Sequence, residues 1–185
     1  TPTFEYILAR DLFRRPCGNK TIQERLEAFA QRARALLVQG GQLALIASPP
    51  RRGQRIGSLI SGERQRIEGF DEGSLQELLE ALTEAEQHFW DQYNQAWEGD
   101  QLELALSNAR FELKSQILKR SEERLISETD LRTWFDPEKS SWGKYMGTEL
   151  GSERVSMLRD LMQSLAKQGP LSWKWEAILI HATAV

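Results

Sequence analysis

Apolar residues along the chain follow two patterns, short unbroken runs and helical spacing, which together predict alternating strands and helices. The run from Leu43 to Ala47 is apolar at every position and too short for a buried helix, so it predicts a central parallel strand covered on both faces. Phe4 to Ala9 is rich in β-forming residues, and Trp173 to Thr183 has a continuous apolar centre, which predicts a last strand inside the sheet. The sequence therefore predicts an α/β fold.

The first two strands are joined by a helix with clear start and stop signals. Thr21 and Glu24 form a T-x-x-E capping box, and apolar residues then recur at helical spacing as far as Leu36. We expect Gly40 and Gly41 to supply the positive backbone angles that let the helix end and the strand begin within a tight turn. A strand, a helix and a strand in this order predict two parallel strands with a right-handed connection.

The middle of the chain is mainly helical by the same criteria. The pattern predicts helices over residues 56–60, 74–97, 100–109, 130–135 and 152–167, with a loop over residues 136–151. Ser74 and Glu77 form a second capping box, Gly99 is expected to end that helix, and Asp100 is expected to cap the next one. Residues 111–126 fit either a helix or a polar edge strand. We favour a strand in their second half, because charged side chains at an edge block unwanted pairing.

Length and composition limit the class of protein. With 185 residues, 40% hydrophobic and 28% charged, the chain fits one soluble globular domain over residues 1–185, with residues 54–110 as a loop and helical insertion. No apolar run approaches the roughly 18 residues of a membrane-spanning helix, so we expect no membrane partner. The single Cys17 cannot form an internal disulfide, and no secretory signal is seen, so we expect a cytoplasmic protein. Because the chain opens on Thr1 rather than on Met, we expect it to be a piece of a longer one.

Two groups of polar residues lie where predicted strands end. Asp11 follows the first strand, at the edge where open α/β sheets bind ligands, although an aspartate there can equally serve as a loop or cap residue. Arg51, Arg52 and Arg55 follow the next long strand in a glycine-rich loop, where they could clamp the phosphates of a nucleic acid or nucleotide. Interleaved acidic residues favour a solvated loop instead, and the net charge of −3 gives no overall attraction to nucleic acid.

The sequence contains no recognisable motif for catalysis or metal binding. His88, His181 and Cys17 are far apart and lack ligand spacing, so we expect no metal site and no His-dependent or Cys-dependent catalysis. The catalytic residues stay unidentified. A stripe of four aromatic residues at helical spacing predicts core packing or a partner-helix interface, with base stacking as the alternative. Its members are Phe89, Trp90, Tyr93 and Trp97.

The order of these elements resembles the C-terminal half of a class I S-adenosylmethionine-dependent methyltransferase domain. The resemblance is carried by FEYILARDLF at residues 4–13, LLVQGGQLALIA at residues 36–47 and WKWEAILIHATA at residues 173–184. Residues 36–41 are similar to the LLKPGG sequence that precedes the fifth strand of the family, with Val38 and Gln39 in place of Lys and Pro. The resemblance is absent over most of residues 54–168, and no G-x-G loop for the cofactor occurs in the sequence.

The resemblance implies a partial Rossmann-like sheet, with parallel strands followed by a C-terminal antiparallel pair. The expected order across the sheet is the fourth, fifth, last and sixth strand of the family. It also implies that Ala9, Arg10 and Asp11 approach S-adenosylmethionine in the full-length protein. Because this chain lacks the Gly-rich loop, we expect it to be inactive alone.

The resemblance has consequences for partners as well. In the family the fourth strand pairs with the first, so a chain that begins at the fourth exposes an apolar edge at residues 4–9. We therefore expect pairing with the missing N-terminal half, or a homodimer through that edge, with nucleic acid as a further partner. The chain is also similar to the methyltransferase-like extension of cyanobacterial AAA+ ATPases of the replication-associated recombination type. That similarity implies the alternative function, a non-catalytic accessory domain acting in DNA replication or recombination.

Overall fold

The computed structural model describes residues 3–13 and 19–185, so the predictions made for Cys17 lie outside the described residues. The helices and strands, in chain order, are β1 (Phe4–Arg10), α1 (Ile22–Leu36), β2 (Leu37–Ala47), α2 (Ile56–Gly62), α3 (Glu72–Gln92), α4 (Gly99–Asn108), β3 (Phe111–Arg124), α5 (Glu128–Phe135), α6 (Ser141–Lys167) and β4 (Leu171–Ala184). Single turns of 3-10 helix, Pro50–Arg52 and Arg64–Arg66, flank α2.

The residues group into two compact units. The sheet unit comprises Thr1–Gly53, Tyr93–Arg120 and Trp175–Val185, and the helical unit comprises Gln54–Gln92 and Ser121–Lys174. Of the insertion predicted over residues 54–110, only residues 54–92 belong to the helical unit, whereas α4 belongs to the sheet unit. Whether the two units fold as a single domain stays a prediction.

The four strands form one mixed sheet in the order β1-β2-β4-β3. β1 and β2 are parallel, with Leu8 opposite Ala44, and β4 runs antiparallel to β2. The last strand of the chain therefore lies inside the sheet, between β2 and β3, as the sequence predicts. This is also the order of fourth, fifth, last and sixth strands that the resemblance implies.

The contacts between β3 and β4 show that these two strands are antiparallel. In the sheet unit the backbone N–H of Val185 donates to the Arg110 carbonyl, and the Lys119 ammonium lies 3.2 Å from the Glu176 carboxylate. From Arg110 to Lys119 the residue numbers rise along β3, whereas their partners on the other side fall from Val185 to Glu176. The C-terminal antiparallel pair is thus confirmed, and β3 forms an edge over its whole length rather than only in its second half.

The hydrophobic core of the sheet unit lies on one face of the sheet. Side chains of β2 such as Leu43 and Leu45 pack there with Leu26 of α1 and Leu102 of α4, and α1 contacts α4. Alternate β1 residues face this core, including the buried Ala9. The residues between them point to the other face, so the amphipathic helices cover only one side of β1.

The segment between α1 and the apolar run is strand rather than the tight turn that the sequence predicts. α1 keeps its predicted capping box at Thr21 and Glu24 but ends at Leu36, and β2 begins at once with Leu37. Gly40 has the predicted positive φ of 76°, but Gly41 does not share it. A Cβ on Gly41 would lie 2.9 Å from the Val38 carbonyl oxygen, so this glycine is needed for a close backbone approach at the irregularity in the β1–β2 pairing.

The helical unit contains α2, α3, α5 and α6, with α3 against α6 and α2 against α3. The predicted capping box at Ser74 and Glu77 is wrong. α3 begins at Glu72, because the Asp71 carboxylate accepts hydrogen bonds from the backbone N–H and the hydroxyl of Ser74. The predicted loop over residues 136–151 is also wrong beyond Ser140, since α6 begins at Ser141 and continues through a break at Gly151, where φ is 81°.

Two further predictions fail at the junction after α3. That helix ends at Gln92, so Tyr93 and Trp97 lie beyond it and belong to the sheet unit, whereas Phe89 and Trp90 belong to the helical unit. The four aromatic residues therefore do not form one helical stripe. Gly99 begins α4 instead of ending a helix, and the residue at the N-cap is Glu98, not Asp100.

Candidate functional site

The carboxyl ends of β1 and β2 bring Asp11 next to Ser48. The Ser48 hydroxyl donates to one carboxylate oxygen of Asp11 at 3.3 Å, and the Arg10 guanidinium lies 3.6 Å from the other oxygen. Asp11 has a positive φ of 49°, and its backbone N–H donates to the Ile46 carbonyl at 2.9 Å. Few residues other than glycine adopt this conformation, and Asp is one of the more tolerant types. Asp11 thus lies directly after β1, at the edge of the sheet where α/β proteins bind ligands.

The three residues predicted to approach the cofactor are adjacent but point in different directions. The Ala9 side chain is buried in the core of the sheet unit, so only its backbone is free to face a ligand. The Arg10 side chain is largely exposed, and the Asp11 side chain is mostly shielded. The cofactor-binding role of Ala9, Arg10 and Asp11 stays a prediction.

A cavity of about 500 Å³ opens beside the carboxyl end of β2, entirely within the sheet unit. Its walls come from the turn after β2, the first turn of α4, and neighbouring parts of β3 and β4. The polar residues facing it are Arg52, Glu98, Asp100, Glu103, Ser115 and Glu176, and the apolar ones include Pro49, Ile117, Ala177 and Ile178. The volume falls within the usual range of small-molecule sites.

Arg52 and Glu98 form the central ion pair of this cavity. Arg52 Nε donates to Glu98 Oε2 at 2.8 Å, and this hydrogen bond raises the pKa of Arg52 above its ordinary value, with smaller contributions from the charges of Glu176 and Asp100. Glu176 also pairs with Lys119. Arg52 therefore lies in a field dominated by carboxylates.

The three arginines predicted to bind phosphate do not belong to one unit. Arg51 and Arg52 are in the sheet unit and Arg55 is in the helical unit, where its guanidinium lies 4.4 Å from the centre of a Trp90 ring. A phosphate at Arg52 would compete with Glu98 for the guanidinium. The nucleic-acid or phosphate role of Arg51, Arg52 and Arg55 stays a prediction.

Over residues 3–13 and 19–185, no group of three or more His, Cys, Asp or Glu side chains is placed to hold a metal ion. No helix in the same ranges has the length and apolar character needed to cross a membrane.

Sequence reasoning missed most of the acidic side of the cavity. Glu98, Glu103 and Glu176 carry no motif, and they come together only because α4 and β4 pack near the end of β2. It also missed Glu86, which is buried in the helical unit and accepts hydrogen bonds from the backbone N–H groups of Ile56 and Gly57. The one feature of the sequence that pointed to this cavity was the position of residues 48–52 directly after a central strand.

No protein-family model matches the chain, and no curated protein matches it. Partly similar solved structures include a proposed methyltransferase from Bacillus halodurans, at 16% identity and a TM-score of 0.43, and the YcgJ protein from Bacillus subtilis, at 13% and 0.41. A third is the Haemonchus contortus phosphoethanolamine N-methyltransferase 2 in complex with phosphomonomethylethanolamine and S-adenosylhomocysteine, at 10% and 0.37.

The alignments cover 97%, 100% and 100% of this chain, in that order, and 69%, 66% and 34% of the three solved chains. The chain thus spans about two thirds of the two bacterial proteins and about a third of the nematode enzyme. With TM-scores of 0.37 to 0.43, these similarities do not assign the chain to a family or to an activity.

Proposed function

We propose that the sheet unit is the C-terminal half of a class I methyltransferase-like sheet and contributes the substrate side of a methyl-transfer site. The supporting observation is the strand order β1-β2-β4-β3, with β4 antiparallel and inserted between β2 and β3. A chain that simply added strands in sequence would place its last strand at an edge. Insertion of the last strand beside the second is therefore a specific topological feature, and it is the one that the family resemblance implies.

The described residues do not by themselves fit S-adenosylmethionine. Both carboxylate oxygens of Asp11 already face partners within the chain, Ser48 and Arg10. The sequence also has no G-x-G loop with which to hold the cofactor. Residues outside this chain would have to supply most of the cofactor site, and this chain alone would be inactive.

The exposed side of β1 favours a partner that covers this strand and supplies the rest of the cofactor site. Leu8 is 75% exposed and Tyr6 is 53% exposed, and both point away from the core of the sheet unit. β1 is also an edge of the sheet among the described residues. Parallel strands are normally buried on both faces, so this apolar surface favours a covering partner that supplies a strand and a helix. The missing N-terminal half is the partner we propose, and a second copy of the chain takes its place when that half is absent.

The cofactor proposal is tested by calorimetric titration with S-adenosylhomocysteine. We expect no binding to this chain, and binding to a longer version that includes the coding sequence upstream of it. In the longer version, Asp11→Ala should weaken binding by about tenfold, because it removes the Ser48 hydrogen bond that joins the carboxyl ends of β1 and β2 at the proposed site. Glu112→Ala, an exposed change on β3, serves as the control. Failure of the longer version to bind would contradict the proposal.

The edge proposal is tested by sedimentation of the chain alone. We expect a concentration-dependent dimer, and Leu8→Lys should raise its dissociation constant by at least about tenfold, because a charge would then occupy the pairing surface. Leu125 is equally exposed at 75% but lies outside the edge, so Leu125→Lys is the matched control and should leave the dimer intact. A wild-type chain that stays monomeric at all concentrations would count against the edge proposal.

The same exposed surface favours a second candidate function, a non-catalytic interaction domain of a larger protein such as an AAA+ ATPase acting on DNA. An interaction domain binds its partner without a cofactor. If nucleic acid is that partner, the affinity should fall steeply with salt and with removal of Arg51 and Arg52. Binding of S-adenosylhomocysteine by the longer version would favour the first candidate.

A further inference from the structure

The cavity beside β2 has walls of strongly unequal charge. Of its five charged side chains one is a cation, Arg52, and four are carboxylates, which leaves an excess of negative charge. Arg52 is already paired with Glu98, and Glu176 is paired with Lys119. Among the described residues, no cation forms an ion pair with Asp100 or Glu103. The field inside the cavity therefore favours a positively charged ligand and disfavours an anion.

The remaining walls of the cavity are apolar. Pro49, Ala177 and Ile178 lie at its inner side, and Ile117 of β3 contributes a side chain that is 59% exposed. An exposed isoleucine next to a group of carboxylates has no role in the core of the sheet unit. A ligand with a hydrocarbon part would remove its surface from water.

The position of the cavity is a separate observation that points to a ligand. It adjoins the carboxyl end of β2, since Pro49 and Arg52 follow that strand directly and Ile178 pairs with its last residue, Ala47. Open α/β sheets bind their ligands at this edge. The acidic residues alone would be consistent with a solvated surface, but here they line a concave space of ligand size at that edge.

We propose that this cavity binds a small organic cation, an ammonium or guanidinium group carried on a short hydrocarbon body. The cationic group would contact the carboxylates of Asp100 and Glu103, and the hydrocarbon part would lie against Ile117 and Ile178. A metal ion fits less well, because over residues 3–13 and 19–185 no three acidic or histidine side chains converge as ligands. All residues concerned belong to the sheet unit, so the site goes beyond the proposed function and does not depend on S-adenosylmethionine.

The test uses three probes of similar shape, 2-phenylethylammonium, 2-phenylethanol and 3-phenylpropionate, titrated into the whole chain at low salt. Binding is followed by NMR chemical shifts. We expect the cation to bind with shifts at Ile117 and Ile178, and to bind at least about fivefold more tightly than the alcohol, as charge attraction predicts. The carboxylate should bind least, and added salt should weaken the cation most.

Variants assign the effect to the cavity. The double change Asp100→Asn and Glu103→Gln keeps the side-chain shapes and should weaken cation binding by about fivefold to tenfold, without changing alcohol binding. Ile117→Ser should weaken both probes. Glu112→Gln is the control for charge, and Leu104→Ser, an exposed position on α4 that does not line the cavity, is the control for apolar area. Thermal unfolding establishes that each variant is folded.

Three outcomes would overturn the proposal. Equal affinity for the cation and the alcohol would mean that the cavity binds only the hydrocarbon part and does not recognise the positive charge. Cation binding that is unchanged in the double variant would place the charge recognition elsewhere. Absence of any shift at the lining residues would leave the cavity without a ligand of this class. None of these outcomes bears on the S-adenosylhomocysteine titration, so the two proposals fail separately.

Discussion

Glu86 in the helical unit and Glu98 in the sheet unit both serve the start of a helix, but their surroundings differ. Glu86 is 4% exposed and accepts hydrogen bonds from the first backbone N–H groups of α2, those of Ile56 and Gly57. Glu98 is the N-cap residue of α4, is partly exposed, and pairs with Arg52 at the cavity. The comparison shows that a glutamate fixes the start of a helix from within the core where water is excluded, and forms a partly exposed ion pair where water is present.

Burial has the dominant effect on Glu86. Removal from water raises the pKa of Glu86, although hydrogen bonds from Gly57 and Ile56, the nearby charge of Arg55 and a hydrogen bond with Trp142 each act to lower it. The net direction means that desolvation outweighs these favourable contacts. Among the described carboxyl groups of the helical unit, only that of Glu86 belongs to a buried residue.

Replacing Glu86 is the strongest test of this comparison. In Glu86→Gln the amide nitrogen would face one of the two backbone N–H donors, which would leave a buried donor without an acceptor. We expect the free energy of unfolding to fall by about 2–3 kcal/mol. Denaturant unfolding of the chain at pH 5 measures this loss. Glu84→Gln, on the exposed side of the same helix, is the matched control and should change stability by less than about 0.5 kcal/mol.

The wild type and Glu86→Gln, compared at several pH values, also test whether burial raises the pKa of Glu86. Because its pKa is raised in the folded state, the folded chain holds this proton more tightly than the unfolded chain does. The stabilisation is therefore complete below the unfolded pKa and is lost as pH rises through the folded pKa. The advantage of the wild type over Glu86→Gln should shrink from pH 4 to pH 8. An advantage that grows over this range would contradict the assigned direction.

The smallest effect is expected at Arg52 and Glu98. A double-mutant cycle with Arg52→Gln and Glu98→Gln should give a coupling below about 1 kcal/mol, because both side chains are partly in water. The coupling should decrease further in high salt. A coupling as large as the loss expected for Glu86→Gln would mean that the cavity excludes water, and the contrast between the two glutamates would then disappear.

Local signals along the chain were enough to predict most of the sheet. Three predictions were correct: the strand over residues 43–47, the parallel pairing of β1 with β2, and the interior position of β4. Each of them depends on short apolar runs that can be recognised from neighbouring residues alone. The predicted boundaries failed where two signals competed. Ser74 and Glu77 fit a capping box, in which the Glu77 carboxylate would accept the backbone N–H of Ser74. Asp71 lies three residues earlier, and its carboxylate accepts that N–H instead.

The candidate site was predictable only in part. Asp11 and Arg52 follow strands, and that position alone marked them as residues at the ligand-binding edge. The remaining carboxylates of the cavity come from α4 and β4, at positions far apart in sequence. Nothing in the residues around Glu103 or Glu176 distinguishes them from the other charged residues of the chain.

The sequence by itself determined most of the strands and helices, because hydrophobic period and capping chemistry act over a few residues, but it left residues 111–126 open and missed the start of α6 at Ser141. Only the tertiary structure decided where charges meet and which of them lose water. β4 inserts beside β2 and brings Glu176 to the cavity, while α3 packs against α2 and buries Glu86. The physical reason is that burial and electrostatic fields depend on distances in space, and these are set by contacts between residues that are remote along the chain.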